Sequence, residues 1–525
     1  MRSKTIILCA ALIGMVAAAA PCWGDQINGT VRVGGVIRNE DAGDLSVMQE
    51  TYDIYEDFAI TQINLYGSIV PQSFFSLNLA NINLDNRAAD FSFRVPGYVK
   101  LYANFDQSRY VYDALRNVVT DRKDARFSVS ATPVRWLEAS ALYAHQLKDG
   151  DRMSYPYGGH TSNLGTSLDQ VLHTGRFEVR AHRDRRDFAV AYDFSRFSDD
   201  QALGMRDRSG NVVSARVFMP CFFTPKLTHS LRASYGTQKL SELDLKYTLK
   251  SLQYMGALQP TRLLKLKYGF SASRVDDEAT ELLTDDFRHD IDAILSGIHG
   301  SLFAGYSYET RDDDAALTSY NDVRFGGSLI APGKASASLK YARRSKNDVD
   351  NREKHTLLQE SDTDHFSVSA SLIPIEDLTV GVAYRLRNRD LPDIDVEIDG
   401  SVTSAFARYR YKAYGALMFD YSYSKDTYTD RVGGFETDNN SFTSKVEVDY
   451  IRDLKLSGGL TTVDIGKDLD IEKSIFFVEA GYTYDRVYQV DVRYNIYNFD
   501  DYLVLNRYYT ANVVWVNFGY SFQIQ

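Results

Sequence analysis

The chain has 525 residues, 44% of them hydrophobic and 25% charged, with 36 Tyr, 28 Phe and a formal net charge of −11. That acidic balance, with no basic stripe interleaved with aromatics, excludes nucleic-acid binding. Three cysteines exclude a disulfide framework. After the N-terminal region no run of roughly 18 apolar residues offers a transmembrane helix, so a membrane-crossing mature chain must be a closed barrel.

In chain order, Arg2 and Lys4 precede the apolar run 5–20, and small residues follow. This predicts a signal peptide over 1–24, with cleavage after Ala20 as the alternative. Cys22 follows Ala-Ala-Pro, a poor signal for a lipid anchor, and with Cys9 also in this segment only Cys221 surely remains in the mature chain. Strict alternation of apolar and polar residues begins near Ile27, which leaves no plug or periplasmic module ahead of the first strand and makes 25–525 one domain.

The period-two pattern recurs over 127–131, 243–249, 264–270, 366–372, 378–386, 417–423, 446–450, 476–484 and 488–496. In 488–496 Gln489, Asp491, Arg493 and Asn495 share one face, which must meet water. The closing strand, 514–524, sets Val514, Val516, Phe518, Tyr520, Phe522 and Ile524 against Asn517, Gly519, Ser521 and Gln523.

Connections alternate between two kinds. Tight turns are predicted at Pro71-Gln72-Ser73, Thr132-Pro133-Val134, Thr224-Pro225-Lys226, Gln259-Pro260-Thr261, Pro332-Gly333-Lys334, Pro374-Ile375-Glu376 and Asp485-Arg486. Long polar connections are expected at 39–57, 107–123, 147–172, 198–211, 275–286, 311–321, 346–363, 389–399 and 425–439. With Pro96-Gly97 splitting 90–106 into two strands, the count reaches about 26. The expected fold is all-β: a single transmembrane antiparallel barrel of about 26 strands (range 22–26), with short periplasmic turns and long extracellular loops, integral to the outer membrane.

No motif for catalysis appears: no Gly-x-Ser-x-Gly elbow, no His-Glu-x-x-His, no phosphate-cradling loop, so the chain is read as no enzyme, without catalytic, cofactor-binding or metal residues. The stretch Asp395 to Gly400 begins like a calcium loop but places Phe406 where the twelfth-position Glu belongs, and reads better as a solvated acidic loop entering a strand. Asp312-Asp313-Asp314 reads as a solvated acidic run. The nine histidines, His160, His173 and His299 among them, are scattered, and none stands in a Cys-x-x-Cys-His haem attachment site. The polar faces carry charges of both signs, and the candidate lumen-facing set is Glu242, Asp244, Lys246, Lys265, Lys267, Arg385, Arg387, Glu447, Asp449, Asp491 and Arg493.

A count near 26, no plug, and the stretch 143–152 ending in Asp149-Gly150-Asp151-Arg152 before a Gly-rich loop, then His173-Thr174 and the amphipathic pair 175–197, resemble the MtrB/PioB-like porins of porin–cytochrome conduits. The chain lacks the paired cysteine motif near the N-terminus that many members carry. The resemblance implies a barrel that sheathes a multihaem c-type cytochrome in extracellular electron transfer. The partner would stand in the lumen or at the periplasmic side, with room for a second at the cell surface. The c-type haem would belong to the partner, and this chain would hold no cofactor. Two other readings stay open: a passive or substrate-selective diffusion porin, with 147–172 as an infolded loop, and an export or adhesion barrel.

Overall fold

A computed structural model describes residues 27–43, 58–68, 71–113, 118–154, 163–200, 207–241, 244–277, 283–313, 316–351, 360–412, 414–449, 451–502 and 507–524. The expected signal peptide, with Cys9 and Cys22, lies outside the described residues, as do His160, Glu242 and Asp314.

The first strands are β1 (Ile27–Gly43), β2 (Phe58–Gly67), β3 (Phe74–Ala80), β4 (Arg87–Val95), β5 (Val99–Asp113), β6 (Val118–Val134) and β7 (Leu137–Ser154). Next come β8 (Asn163–Arg183), β9 (Arg186–Asp199), β10 (Arg208–Pro220), β11 (Leu227–Leu240), β12 (Leu245–Leu258), β13 (Leu264–Asp277) and β14 (Leu283–Gly297). Then follow β15 (Gly300–Asp313), β16 (Ala316–Ala331), β17 (Ala335–Asn351), β18 (Ser361–Ile375), β19 (Leu378–Leu391) and β20 (Val396–Tyr411). The last are β21 (Gly415–Thr429), β22 (Gly434–Val448), β23 (Leu454–Lys467), β24 (Ile471–Tyr484), β25 (Tyr488–Asp501) and β26 (Arg507–Ile524). Each pairs antiparallel with its neighbour in the chain, and β26 returns to β1 over Ile27↔Ile524 to Gly43↔Tyr509. The sheet is therefore closed, with 26 strands and no free edge.

Directly paired residues share a face of the sheet, so the register carries one face assignment around the whole ring. The face of Val514, Val516, Phe518 and Tyr520 continues through Tyr488, Val490 and Val492, then Val478 and Tyr482, and round to Val380 and Val382, Leu302, Phe188 and Phe93. It is apolar and exposed: Val382 keeps 59% of its surface and Leu302 59%. A closed sheet with an exposed apolar outer belt and a polar inner face is the form in which strands cross lipid, and the protein is an integral outer-membrane β-barrel. On β26 the belt runs from Val514 to Phe522, a height of roughly 20–25 Å at the usual strand rise and tilt.

Tyrosines mark the belt's upper limit. Tyr192 Oη donates to Asn211 Oδ1 at 2.7 Å, Tyr306 to Asn321 at 2.8 Å, Tyr494 to Asn512 at 2.6 Å and Tyr341 to Asp364 at 2.6 Å. In every case the acceptor lies on the adjacent strand, two positions beyond the tyrosine's direct partner and away from the tight turns. Each ring stays in the apolar layer while its hydroxyl reaches the polar one, the arrangement of an interfacial aromatic girdle.

The predicted tight turns all fall at one end of the barrel. Ala331-Pro332-Gly333-Lys334 closes with Lys334 N–H donating to Ala331 O at 3.0 Å, and Gly333 takes φ +68°, the conformation a type II turn demands at that position. Between β8 and β9 Asp184 and Arg185 both have positive φ, as a type I′ hairpin requires. Pro133 and Pro374 sit inside register shifts at strand ends, so those two turns lie just after them, at 135–136 and 376–377.

The other end departs from expectation. Most of the sequence assigned to long loops is strand: β17 continues ten residues past Tyr341 to Asn351, which lifts the wall about 25 Å above the girdle. Polar residues on both faces hid this, because a strand wet on both sides loses its alternation while keeping its backbone pairing. Of 147–172, residues 147–154 and 163–172 belong to β7 and β8, so these parts are wall; 155–162 lie outside the described residues. The calcium-like stretch likewise forms the start of β20, with Asp395 at φ +53° before it. At the connection 430–433 Asp430 accepts N–H bonds from Val432 and Gly433, which hold its carboxyl below the usual carboxylate range.

Candidate functional site

The inner wall is the surface with chemistry on it. Twenty-six strands spaced about 4.8 Å and tilted about 40° trace a ring roughly 50 Å across at the backbone if round, and side chains of about 5 Å each leave a lumen near 35–40 Å. Among the described residues no element crosses that space: the one helical turn, Pro392–Ile394, joins β19 to β20 at the rim.

Parts of the wall are lined by small hydroxyl side chains that bond across strands. Ser336 meets Ser371 at 2.8 Å, Ser338 meets Ser369 at 2.8 Å, and Ser234 meets Ser251 at 2.6 Å. Elsewhere it carries ion pairs, one of them beside the β8–β9 turn. Arg176 holds Glu178 at 2.5 Å and Asp193 at 3.3 Å, and Arg180 pairs with Asp187. On β14–β17 Arg288 bridges Asp290 at 3.0 Å and Glu309 at 3.5 Å, Arg324 reaches Asp292 at 3.2 Å, and Arg344 reaches Asp322 at 3.7 Å.

The register places Lys265, Lys267, Arg385, Arg387, Glu447, Asp491 and Arg493 on the inner face. Each meets a different neighbourhood. Lys445 Nζ contacts Glu447 at 2.6 Å, Asp491 accepts from Gln489 at 3.0 Å, and the Arg493 guanidinium lies 4.9 Å over the Phe477 ring. Arg385 and Arg387 stand together, beside Ser367 and His365 of β18 in the register, with Lys340 of β17 one strand further.

Three of the remaining four candidates need correction. Lys246 pairs with Lys239 on the outward parity, and Asp244, in the β11–β12 connection at φ +48°, is bridged to Lys239 at 2.9 Å. This part of β12 stands above the girdle, where the outer face also meets water, so a polar residue there says nothing about which face is the lumen. Asp449 lies just past β22 at the turn end, its N–H donating to Tyr414 O at 2.7 Å, and so sits on the rim rather than the wall. The fourth, Glu242, lies outside the described residues.

His365, Lys340 and Asp426 were missed by sequence reading. Their signal was present as alternate positions in Ser336, Ser338, Lys340 and in His365, Ser367, Ser369. Only the successive pairing of β17 to β21 brings them near Arg385 and Arg387.

The chain matches no protein-family model and no curated protein sequence. Among solved structures it is similar to the siderophore receptor PirA from Pseudomonas aeruginosa, at 8% identity over 95% of this chain and 80% of that one, TM-score 0.48. It is similar also to the FrpB iron transporter from Neisseria meningitidis, at 9% identity over 94% and 81%, TM-score 0.49. PirA from Acinetobacter baumannii gives 8% identity over 94% and 80%, TM-score 0.49. These likenesses assign no family. At such identities and scores they carry no argument about what the lumen holds.

Proposed function

We propose that the barrel is a sheath: it encloses a multihaem c-type cytochrome and insulates it from lipid, so that electrons cross the outer membrane through the partner. The observation that carries this reading is the lumen, near 35–40 Å wide by the strand arithmetic, rich in polar and charged residues on its inner face and uncrossed by any described element. Side chains cannot fill such a space. Left open, it would equilibrate small periplasmic solutes and proteins with the medium. A mixed-charge wall grips a folded protein through complementary pairs while remaining wettable during assembly. The barrel's own part is to fix the partner's position and exclude lipid, and the redox chemistry belongs to the partner's haem.

The small hydroxyl side chains on β11–β12 and β17–β18 favour the second reading, a diffusion porin, because they offer solutes no constriction there. Leakage separates the two. Barrel produced without partners and placed in vesicles is expected to release uncharged dextrans of about 10 Å radius, since the lumen is about twice as wide as a solute of that size. Barrel isolated intact from its native membrane is expected to retain them. Release from both preparations leaves a porin, and retention by both means that the chain closes its own lumen and needs no occupant.

A further inference from the structure

The inner wall is not charged evenly. On β8–β10 and β14–β16 inward arginines sit against carboxylates: Arg176 with Glu178 and Asp193, Arg216 with Asp187, Arg288 with Asp290, Arg324 with Asp292. Arg344, high on β17, still reaches Asp322 at 3.7 Å, but lower on β17 and on β19 this pairing stops. Lys340, Arg385 and Arg387 face the lumen with no carboxylate at salt-bridge distance among the described residues, and all three are exposed. Two rows of the register build the arc: Lys340, Ser367 and Arg385 in one, His365 and Arg387 in the next.

The arc is also concave. These side chains line a recess of about 720 Å³ together with Gly400, Val402 and one carboxylate, Asp426. A Cβ added at Gly400 would stand 2.8 Å from the Asp426 carboxylate, so the missing side chain leaves that space open.

Distance decides what such a patch can act on. At physiological ionic strength charges are screened within about 8 Å. A patch on one wall of a lumen near 35–40 Å wide therefore cannot govern ions moving through the centre. It acts on what touches the wall.

We propose that this arc docks an acidic face of the protein enclosed by the barrel and so fixes the rotation of that protein about the barrel axis. The inference rests on the reading of the lumen as protein-filled. Carboxylates on the partner would take the positions that Asp193, Asp290 and Asp292 occupy for the arginines elsewhere on the wall. The paired sectors, already neutralised, would contact the partner without selecting an orientation.

The test uses the purified full-length barrel in detergent and poly-L-glutamate as the probe for an acidic protein surface. Wild type is expected to bind, with affinity falling as salt is raised. The triple variant Lys340→Gln, Arg385→Gln, Arg387→Gln is expected to bind at least about tenfold more weakly, because three exposed attractions are lost together. The variant Arg176→Gln, Arg216→Gln, which removes cations from paired sectors, is expected to stay within about twofold of wild type. Heat-modifiable gel migration establishes that both variants are folded. Equal weakening in both variants, or none in the triple variant, overturns the arc as a docking site. Tighter binding of polygalacturonate than of polyglutamate at equal charge overturns the protein assignment in favour of an acidic polysaccharide. Absence of any haem protein from the natively isolated barrel, with the polyglutamate difference intact, removes the sheath reading and leaves the arc standing as a carboxylate-binding surface.

Discussion

Val382→Arg is expected to lower the stability of the folded barrel by about 2–4 kcal/mol, while Ala383→Arg, the next residue along β19, changes it by no more than about 0.5 kcal/mol. Val382 lies midway along the outer belt of its strand, between the Ala370 and Ala405 positions, and keeps 59% of its surface, which lipid covers. A guanidinium there must be buried in hydrocarbon or bend the belt to reach water. Ala383 is paired with Ser369 and Ser404 on the inner face, where a long cation points into an aqueous lumen. Urea midpoints in lipid vesicles measure the difference. Equal costs at the two positions would mean that the faces have been assigned wrongly, and with them the lumen.

The second large effect comes from the backbone. Gly415 opens β21 opposite Val448, and a Cβ placed there would stand 2.2 Å from the Glu447 carbonyl oxygen, closer than real side-chain carbons come to a backbone oxygen. Neither strand can yield without breaking a ladder that is continuous from β20 to β23. Gly415→Val is therefore expected to cost about 1–3 kcal/mol by overpacking. Gly433, in the connection above β21, has open space around its Cα, and Gly433→Val is expected to stay within about 0.5 kcal/mol of wild type. The same urea titration reads both. A neutral Gly415→Val would show that the two strands separate at the turn end.

Much of the fold was legible in the sequence because a barrel wall in lipid imposes a two-residue period wherever the chain is in the membrane. Strands such as 366–372 and 488–496 announce themselves for that reason, and the turn-forming prolines and glycines mark their lower ends. The legibility fails above the girdle. There both faces are wet, so 346–351 and 147–154 read as loop although the ladder continues through them. The same loss of contrast put Lys246 on the wrong face, since Leu245 and Tyr247 point inward where no lipid punishes the choice. The site was legible only in part. Single strands gave Arg385, Arg387, Lys265 and Lys267 as inward charges. The uncompensated arc is a property of three adjacent strands, and adjacency combined with register is not written in any one of them.

The measurement that bears most directly on the sheath reading is the visible absorbance of the barrel isolated gently in mild detergent from its native membrane. The three cysteines of this chain include none in a Cys-x-x-Cys-His site, so any covalent c-type haem in the preparation belongs to a partner. The account predicts strong c-type haem bands that co-migrate with the barrel, at several haems per chain. A haem-free preparation that releases dextran would contradict it and leave an open porin.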